Sequence, residues 1–265
     1  MNLRLLGTVE VVDDDGVLIP IGAPMLRATL AALALRAGHV VPVGELMDQL
    51  WGGRPPATAG ATLRNYIKRL RKVIPKDRIR TESGGYRLDV EPADVDVLRF
   101  RELRACARAL TGSDPQAAAR TLDAALALWR GTPFTDLGDG PLRSLEQPRL
   151  EDLYLATVEE RFAIGLDLGE HHVLVDEIMV MSQVYYLRER LLHQLIVALY
   201  RCGRTAEALA AYRSARKRLV AELGIEPGMH LRKLEQAILR SDPELAGERS
   251  GWAGVPSRAP LQRAG

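Results

Sequence analysis

WGGRPPATAGATLRNYIKRLRKVIPKDRIRTESGGYRL, residues 51–88, has the pattern of an amphipathic helix followed by a glycine-turned hairpin. Between Arg54 and Val90, ten Lys or Arg residues stand against three acids, which gives a local charge of +7. The whole chain carries +2, so the remaining residues together carry −5. Positive charge concentrated on one segment of an otherwise acidic chain is typical of a nucleic-acid-binding surface.

The helix in this stretch has two distinct faces when its residues are placed at about 100° intervals around the axis. Leu63 lies at the centre of an apolar stripe, and the stripe predicts a buried side. Its other members are Ala59, Ile67, Leu70 and Ile74. The opposite side holds small, polar and cationic residues, which are Thr58, Ala61, Thr62, Asn65, Lys68, Arg69 and Lys72, with Arg64 and Arg71 on one flank.

This outer face is suited to the major groove of DNA. Short side chains let the helix approach the base edges, Asn and Arg can make bidentate contacts with bases, and Lys supplies charge to phosphates. The alternative is a solvated face of an amphipathic helix, because most charge runs are of that kind. The neighbouring segments favour the DNA interpretation.

The segments on either side predict a winged helix-turn-helix. Residues 23–37 and 43–51 have helical patterns, separated by a short extended piece, HVVPV. Residues 79–81 and 86–90 have strand patterns and are joined by the tight turn at 82–85. Three helices followed by such a hairpin form a winged helix.

The N-terminal residues predict a small antiparallel sheet. Residues 3–21, LRLLGTVEVVDDDGVLIPI, alternate between the two faces of a strand, with a turn at Asp14, Asp15 and Gly16. Three consecutive aspartates could also hold a metal ion, but no further ligand pattern accompanies them, and a turn is the better interpretation.

The rest of the chain predicts an all-α domain, rich in Ala, Leu, Arg and Glu. Its predicted helices are 97–109, 115–129, 148–168, 173–181, 188–201, 205–222 and 229–239. The expected fold class is therefore mainly α with a small β part. The expected domains are a winged helix at 1–92, a helical domain at 93–245 and a Gly/Pro/Ser-rich disordered tail at 246–265.

The helical part contains an internal echo at an offset of 34 residues. LDLGEH at 166–171 matches YRCGRT at 200–205, and Val175 and Ile178 match Leu209 and Tyr212. This period belongs to tetratricopeptide-type helix pairs, which stack into a solenoid and offer broad surfaces for protein contacts.

Specific motifs connect the chain to a known family. ELMDQLWG at 45–52, NYIKRLRK at 65–72 and GGYRL at 84–88 resemble the OmpR-type winged helix. LRLLG at 3–7, with WGGRPPATA at 51–59 and LRNYIKRLR at 63–71, resembles the Streptomyces antibiotic regulatory protein family of transcription activators. WRG at 129–131, LRER at 187–190, ALYRCGRTAEALAAY at 198–212 and ELGIEP at 222–227 resemble the bacterial transcriptional activation domain of that family. The resemblance extends to about Leu245.

The resemblance implies roles for individual residues. Positions matching Thr62, Asn65 and Arg69 face bases in the wider winged-helix class. Those matching Tyr66, Lys68 and Lys72 reach mainly the backbone, and those matching Trp51 and Tyr86 contact phosphates. The helix layout agrees except at Tyr66, which lies nearer the buried edge, and Trp51 has core packing as an alternative. The candidate DNA-binding residues are Trp51, Thr62, Arg64, Asn65, Tyr66, Lys68, Arg69, Lys72, Arg80 and Tyr86.

The wing departs from many relatives, which carry Arg at its tip to enter the minor groove. Here the tip is Glu82, Ser83 and Gly84, so Arg80 or Arg87 would have to act through phosphates. The resemblance further implies binding to direct repeats in double-stranded promoter DNA near the −35 region. It also implies pairing of two copies on the DNA, and recruitment of RNA polymerase through its sigma factor and alpha C-terminal domain.

Catalysis, cofactors and metals find no support in the sequence. Cys106 and Cys202 lack a metal-ligand spacing and are expected to be buried thiols, and His171-His172 is expected in an exposed turn. No Gly-Lys-Ser/Thr phosphate loop, receiver domain, secretory signal or membrane-length apolar run is found, so a cytoplasmic, nucleoid-associated protein is expected. Two alternatives stay open: an adaptor whose basic helix binds an acidic protein, and an enzyme with a helical substrate domain.

Overall fold

The structure is a computed structural model that describes residues 1–75 and 77–246. It has two compact units, Met1–Ile164 and Gly165–Gly265. The predicted fold class is confirmed, because helices dominate both units and two small antiparallel sheets belong to the first. Of the predicted tail, only Ala246 is described, at the end of a short 3-10 helix, and residues 247–265 lie outside the described residues.

The first unit begins with the predicted three-stranded sheet, formed by β1 (Asn2–Arg4), β2 (Glu10–Val12) and β3 (Leu18–Ile19) in that order. The aspartate-rich segment is a turn, as expected. The Asp13 carboxylate accepts backbone N–H bonds from Asp15 at 3.0 Å and Val17 at 2.8 Å, which closes the turn between β2 and β3.

The winged helix follows, and the bounds of its elements differ from the predicted ones by at most three residues. The first helix ends three residues early, before a turn in which Gly38 adopts a φ of +77°. The last strand ends at Leu88 rather than at residue 90. The extended piece before the second helix is a strand that pairs with the hairpin, giving the order β4-β6-β5. The elements are α1 (Pro24–Ala34), β4 (Val40–Pro42), α2 (Val43–Trp51), α3 (Ala59–Val73), β5 (Ile79–Glu82) and β6 (Gly85–Leu88).

Three further helices follow along the chain: α4 (Asp96–Leu110), α5 (Pro115–Leu126) and α6 (Pro141–Asp167), the last of which crosses the boundary between the units. Helix α5 ends three residues before the predicted position because the chain turns back to the N-terminal sheet. There the backbone N–H of Arg130 bonds to the Leu6 carbonyl, and that of Phe134 to the Gly7 carbonyl, both at 2.8 Å. Helix α6 begins at Pro141, seven residues before the predicted Pro148, which lies inside it.

A buried carboxylate fastens α4 to the N-terminal sheet. Asp96 accepts backbone N–H bonds from Leu5 at 2.7 and 2.8 Å and from Leu6 at 3.0 Å. Burial raises the pKa of Asp96, and these hydrogen bonds limit the rise. Because α4 shares the core of the winged helix, the first compact unit extends beyond the sequence boundary at 92–93. The predicted boundary at 92–93, between a winged-helix domain and a helical domain, therefore stays a proposal.

In the part of the second unit that the structure describes, the end of α6 is followed by four α-helices and by the 3-10 helix Pro243–Ala246. The four are α7 (His171–Val184), α8 (Glu189–Arg201), α9 (Thr205–Leu223) and α10 (Met229–Leu239). The 34-residue echo has a structural counterpart in the turns before α7 and α9. Gly169 and Gly203 both adopt left-handed φ values, of +81° and +76°. Each turn is also closed by one equivalent backbone bond, from Glu170 N–H to the Gly165 carbonyl and from Arg204 N–H to the Leu199 carbonyl. The echo in the sequence therefore corresponds to two turns of similar geometry, and the tetratricopeptide-type repeat stays a prediction.

Two minor predictions about Cys and His residues were wrong. Cys106 is exposed and Cys202 is half-buried, so neither is a fully buried thiol. His171 is the first residue of α7 and is buried, whereas only His172 is exposed as expected. The error arose because a helix beginning after Gly169 turns its first side chain towards the packed neighbouring helix, which sequence spacing alone does not reveal.

Candidate nucleic-acid interface

The inner side of α3 is buried as its pattern predicted. Ala59, Leu63, Ile67 and Leu70 are at most 1 % exposed, and Ile74 follows at the end of the helix with 3 %. This stripe packs against α1. Burial of each large aliphatic side chain contributes about 1.5–3 kcal/mol, so the helix is firmly held and its outer side is fixed in orientation.

The outer side of α3 is cationic and accessible. Arg64, Asn65, Lys68, Arg69 and Lys72 are exposed, and α3 contains no acidic residue. None of the four cations forms an ion pair with another described residue. Their charges are therefore available to an anionic partner, at no cost of breaking an existing pair.

The remaining predicted base-facing residue, Thr62, is half-buried and lies one turn before Tyr66. Its short side chain leaves room for the helix backbone to approach a groove. Thr62, Asn65 and Arg69 follow at spacings of three and four, so they share one line along the helix. The structure thus brings together all three residues predicted to face bases.

Arg71 differs from Arg64, although both were placed on the same flank. The Arg71 guanidinium donates to the Ile79 carbonyl at 2.9 Å and to the Thr81 hydroxyl at 2.8 Å. It therefore joins the end of α3 to strand β5 of the wing, and only Arg64 on this flank faces solvent. Sequence reasoning missed this link. The position of Arg71 in the last turn of α3, directly before the wing, could have indicated it.

Trp51 and Tyr66 form one aromatic unit between α2 and α3. Their rings are stacked, with centroids 6.4 Å apart and planes at 19°. Both are partly buried and pack against the core of the first unit. This agrees with the half-core position expected for Tyr66 and with the packing alternative for Trp51. Both residues are of intermediate exposure, so neither is fully removed from solvent.

The wing offers fewer available groups than α3. Tyr86 is only 8 % exposed and its ring belongs to the core. Arg80 pairs with Asp89 at 2.7 Å, and Arg87 pairs with Glu82 at 3.5 Å. Cations already paired with carboxylates offer less net charge to a phosphate.

A glycine sets the close packing of the wing strands. A Cβ atom on Gly85 would lie 2.2 Å from the backbone carbonyl oxygen of Val41, because β4 and β6 approach closely at that point. Gly84, at the tip, has a φ of +78°, a left-handed conformation that favours glycine. The two glycines allow a tight turn between β5 and β6. The hydrogen bond from Arg71 to the Ile79 carbonyl then holds the wing beside the C-terminal half of α3.

These elements define a class of protein: a winged helix with an exposed, unpaired cationic helix, followed by a helical region. Two family models match the chain in the same order. The model described as "Transcriptional regulatory protein, C terminal" matches residues 23–88, and the "Bacterial transcriptional activator domain" matches residues 95–239. The chain belongs to the Streptomyces antibiotic regulatory protein family of transcriptional activators.

Relatives named as regulators extend over most of the chain. Regulatory protein DnrI of Streptomyces peucetius is 40 % identical over 259 residues, which cover 92 % of this chain and 93 % of DnrI. Regulatory protein AfsR of Streptomyces griseus is 41 % identical over 230 residues, which cover 86 % of this chain but only 24 % of AfsR. The chain thus spans about a quarter of the longer relative.

A solved structure has the same fold. EmbR of Mycobacterium tuberculosis, in complex with a low affinity phosphopeptide, superimposes with a TM-score of 0.85 at 31 % identity, covering 91 % of this chain and 65 % of that one. Within the described residues, no helix combines the length and the apolar character needed to cross a lipid bilayer.

Proposed function

We propose that this protein activates transcription by binding promoter DNA in a sequence-specific manner. The observation that carries the proposal is the outer side of α3, where four exposed cations and Asn65 stand together without an acidic neighbour on the helix. Such a helix, held rigidly by its buried side, can enter the major groove while its cations contact phosphates. Membership of an activator family favours activation of transcription over repression.

Base contacts and backbone contacts are assigned to different residues. Thr62, Asn65 and Arg69 lie on one line along α3 and would read base edges, with Asn suited to adenine and Arg to guanine. Lys68, Lys72 and Arg64 flank this line and would contact phosphates. Trp51, Tyr66, Arg80 and Tyr86 remain candidates for backbone contacts, although Tyr86 would require its hydroxyl to reach DNA from a largely buried ring.

The expected target is a pair of direct repeats in a promoter of secondary-metabolite genes. Two copies bound head to tail on one DNA face would need repeats about 10–10.5 base pairs apart. The helices of the second unit would contact the neighbouring copy or RNA polymerase through its sigma factor and alpha C-terminal domain, because stacked helix pairs present broad surfaces. No catalytic role or cofactor is part of this proposal, and its expected location is the bacterial cytoplasm and nucleoid.

Selection from a randomised duplex library tests this proposal and yields the recognised motif in the same experiment. The expected outcome is an enriched motif repeated in one orientation at a spacing of one helical turn. Wild-type protein and the Arg69→Ala variant should enrich motifs that differ at one position in each half-site. Failure to enrich any motif, at salt concentrations where the protein still binds random DNA, would contradict sequence-specific binding.

An adaptor that binds an acidic protein is the competing hypothesis. Its basic helix would bind duplexes only through charge, so no motif would be enriched, and acidic polypeptides would compete as well as DNA does. Adding polyglutamate to the complex with the recovered duplexes separates the two cases, because a carboxylate polymer displaces contacts made through charge alone but does not reproduce base-specific contacts.

A further inference from the structure

Three side chains with metal-binding atoms meet at one end of the α7–α8 helix pair. His171 and His172 open α7, and Cys202 directly follows the last residue of α8. Each offers one ligand atom, and the three atoms lie within 4.8 Å of one another. They meet because the short connection at 185–188 makes α7 and α8 antiparallel, so that the start of one helix lies beside the end of the other.

The polar atoms of this cluster are incompletely satisfied. His171 is 8 % exposed, and its Nδ1 atom is buried and has no hydrogen-bond partner among the described residues. The two imidazole rings lie close together, with centroids 4.3 Å apart. Buried polar atoms normally have a partner, so an unpartnered imidazole nitrogen beside a second imidazole and a thiol favours a ligand-binding role for the cluster.

We propose that His171, His172 and Cys202 form a binding site for a thiophilic transition-metal ion, with Zn²⁺ as the first candidate. Two imidazole nitrogens and one thiolate are a donor set that suits zinc, and water can complete a tetrahedral site. Zinc bond lengths of about 2.0–2.3 Å place neighbouring ligand atoms roughly 3.3–3.8 Å apart. The cluster would therefore contract by about 1 Å, which rotation of the exposed His172 and the half-buried Cys202 can provide.

The charges around the cluster are mixed. Glu207 pairs with Arg204 through bonds of 2.7 and 2.6 Å, and Asp176 lies near Cys202. Among the described residues, Arg201 bonds only to backbone carbonyls and keeps its positive charge. Conversion of the Cys202 thiol to a thiolate would offset one positive charge of the ion.

A bound ion would brace the α7–α8 helix pair. The three ligands come from the first turn of α7 and from the turn after α8, so coordination would join two segments that are 30 residues apart in the chain. A ligand that binds only the folded state raises its stability. Metal binding is therefore expected to raise the midpoint of thermal unfolding, whether or not DNA is present.

Titration of the full metal-free chain with Co²⁺, followed by displacement with Zn²⁺, tests the site. Cobalt bound to a thiolate produces a sulfur-to-metal charge-transfer absorption, and the expected result is saturation at one ion per chain and loss of the band on adding Zn²⁺. Cys202→Ala should abolish the band. Removing a group that only orients a metal ligand weakens metal binding by roughly 10–100-fold. Because His172 would be a ligand itself, His172→Ala should weaken binding by at least that factor.

Two matched variants serve as controls. Cys106→Ala removes the other thiol, which is exposed on α4, and His39→Ala removes an exposed imidazole in the winged helix. Both should retain the band and the affinity of the wild type. Because His172 is exposed, His172→Ala should leave the fold intact. This variant therefore still tests the site if Cys202→Ala does not fold.

Several outcomes would overturn the proposal. Absence of a charge-transfer band in the wild type would do so, as would a band that survives in Cys202→Ala or disappears in Cys106→Ala. Unchanged affinity in His172→Ala would remove the two-histidine assignment. DNA binding by the same preparations is a separate measurement, so the metal site and the regulatory function can fail independently.

Discussion

At the residue scale, the proposed interface on α3 assigns two kinds of DNA contact to different residues. Asn65 is exposed in the middle of the line predicted to read bases, whereas Lys72 lies in the last turn. We predict that Asn65→Ala costs about 1–3 kcal/mol on the selected duplex and little on random DNA, because a bidentate base contact is lost. Fluorescence anisotropy on both duplexes measures the difference.

Lys72→Ala is the matched control for this prediction. Loss of one phosphate contact should weaken selected and random duplexes alike, and should reduce the slope of log affinity against log salt by about 1. Equal losses on both duplexes for Asn65→Ala would contradict its base-reading role.

The Asp96 carboxylate is expected to stabilise the fold as a buried hydrogen-bond acceptor. In Asp96→Ala the backbone N–H groups of Leu5 and Leu6 would stay buried without their acceptor. Each unsatisfied group costs about 1–3 kcal/mol, so the free energy of unfolding should fall by roughly 2–6 kcal/mol. Urea unfolding measures this, with the exposed Glu91→Ala as control. A change no larger than that of the control would show that Asp96 is not a structural acceptor.

At the element scale, the wing depends on the absence of a side chain at Gly85. Gly85→Ala would place a Cβ atom against the backbone of Val41, which cannot move without breaking the β4–β6 pairing. We predict a loss of about 1–3 kcal/mol, typical of overpacking, together with weaker DNA binding. Gly53→Ala, where a Cβ meets nothing within 4 Å, should be close to neutral. Hydrogen exchange of the β6 amides locates the effect, and full protection in Gly85→Ala would contradict it.

Element patterns also show how far sequence reasoning extends. The bounds of α2 and the buried stripe of α3 followed from helical periodicity, and the similar turns before α7 and α9 followed from two glycines 34 residues apart. The pairing of β4 with β6 did not follow, because three residues of extended chain carry no information about their partner. The burial of Tyr86 was missed for the same reason, since it depends on that pairing.

Packing between elements also limits what the sequence indicates about the surroundings of single side chains. Side chains that project directly from the outer side of α3 are where the helical pattern places them. Arg71 and the cluster of His171, His172 and Cys202 depend on which elements pack side by side. Long-range packing of this kind leaves no periodic signal in a single sequence.

At the scale of the whole molecule, an ion-pair network inside the first unit makes stability depend on pH. Glu160 accepts hydrogen bonds from Arg104 at 2.8 Å and from Arg108. Burial raises the pKa of Glu160, but these two arginines outweigh burial and hold it below its ordinary value of 4.5. The folded state therefore favours the ionised form. This contribution is present above about pH 4.5 and is lost as the pH falls through the lowered pKa.

Glu160→Gln should consequently lower the unfolding midpoint in urea at pH 7, and the difference from wild type should shrink as the pH falls below about 4.5. Glu102→Gln, at an exposed position on α4, provides the control and should show no such dependence. A difference that stays constant between pH 7 and pH 3 would contradict the role assigned to ionised Glu160.

We propose that this molecule recognises a DNA sequence through α3. The most direct measurement is footprinting on a duplex that carries the selected repeats, across a salt series and with excess random DNA as competitor. We predict a protected direct repeat that survives the competitor in wild type and is lost in Asn65→Ala. Uniform, salt-sensitive protection without a boundary, or no protection even at low salt, would contradict the claim.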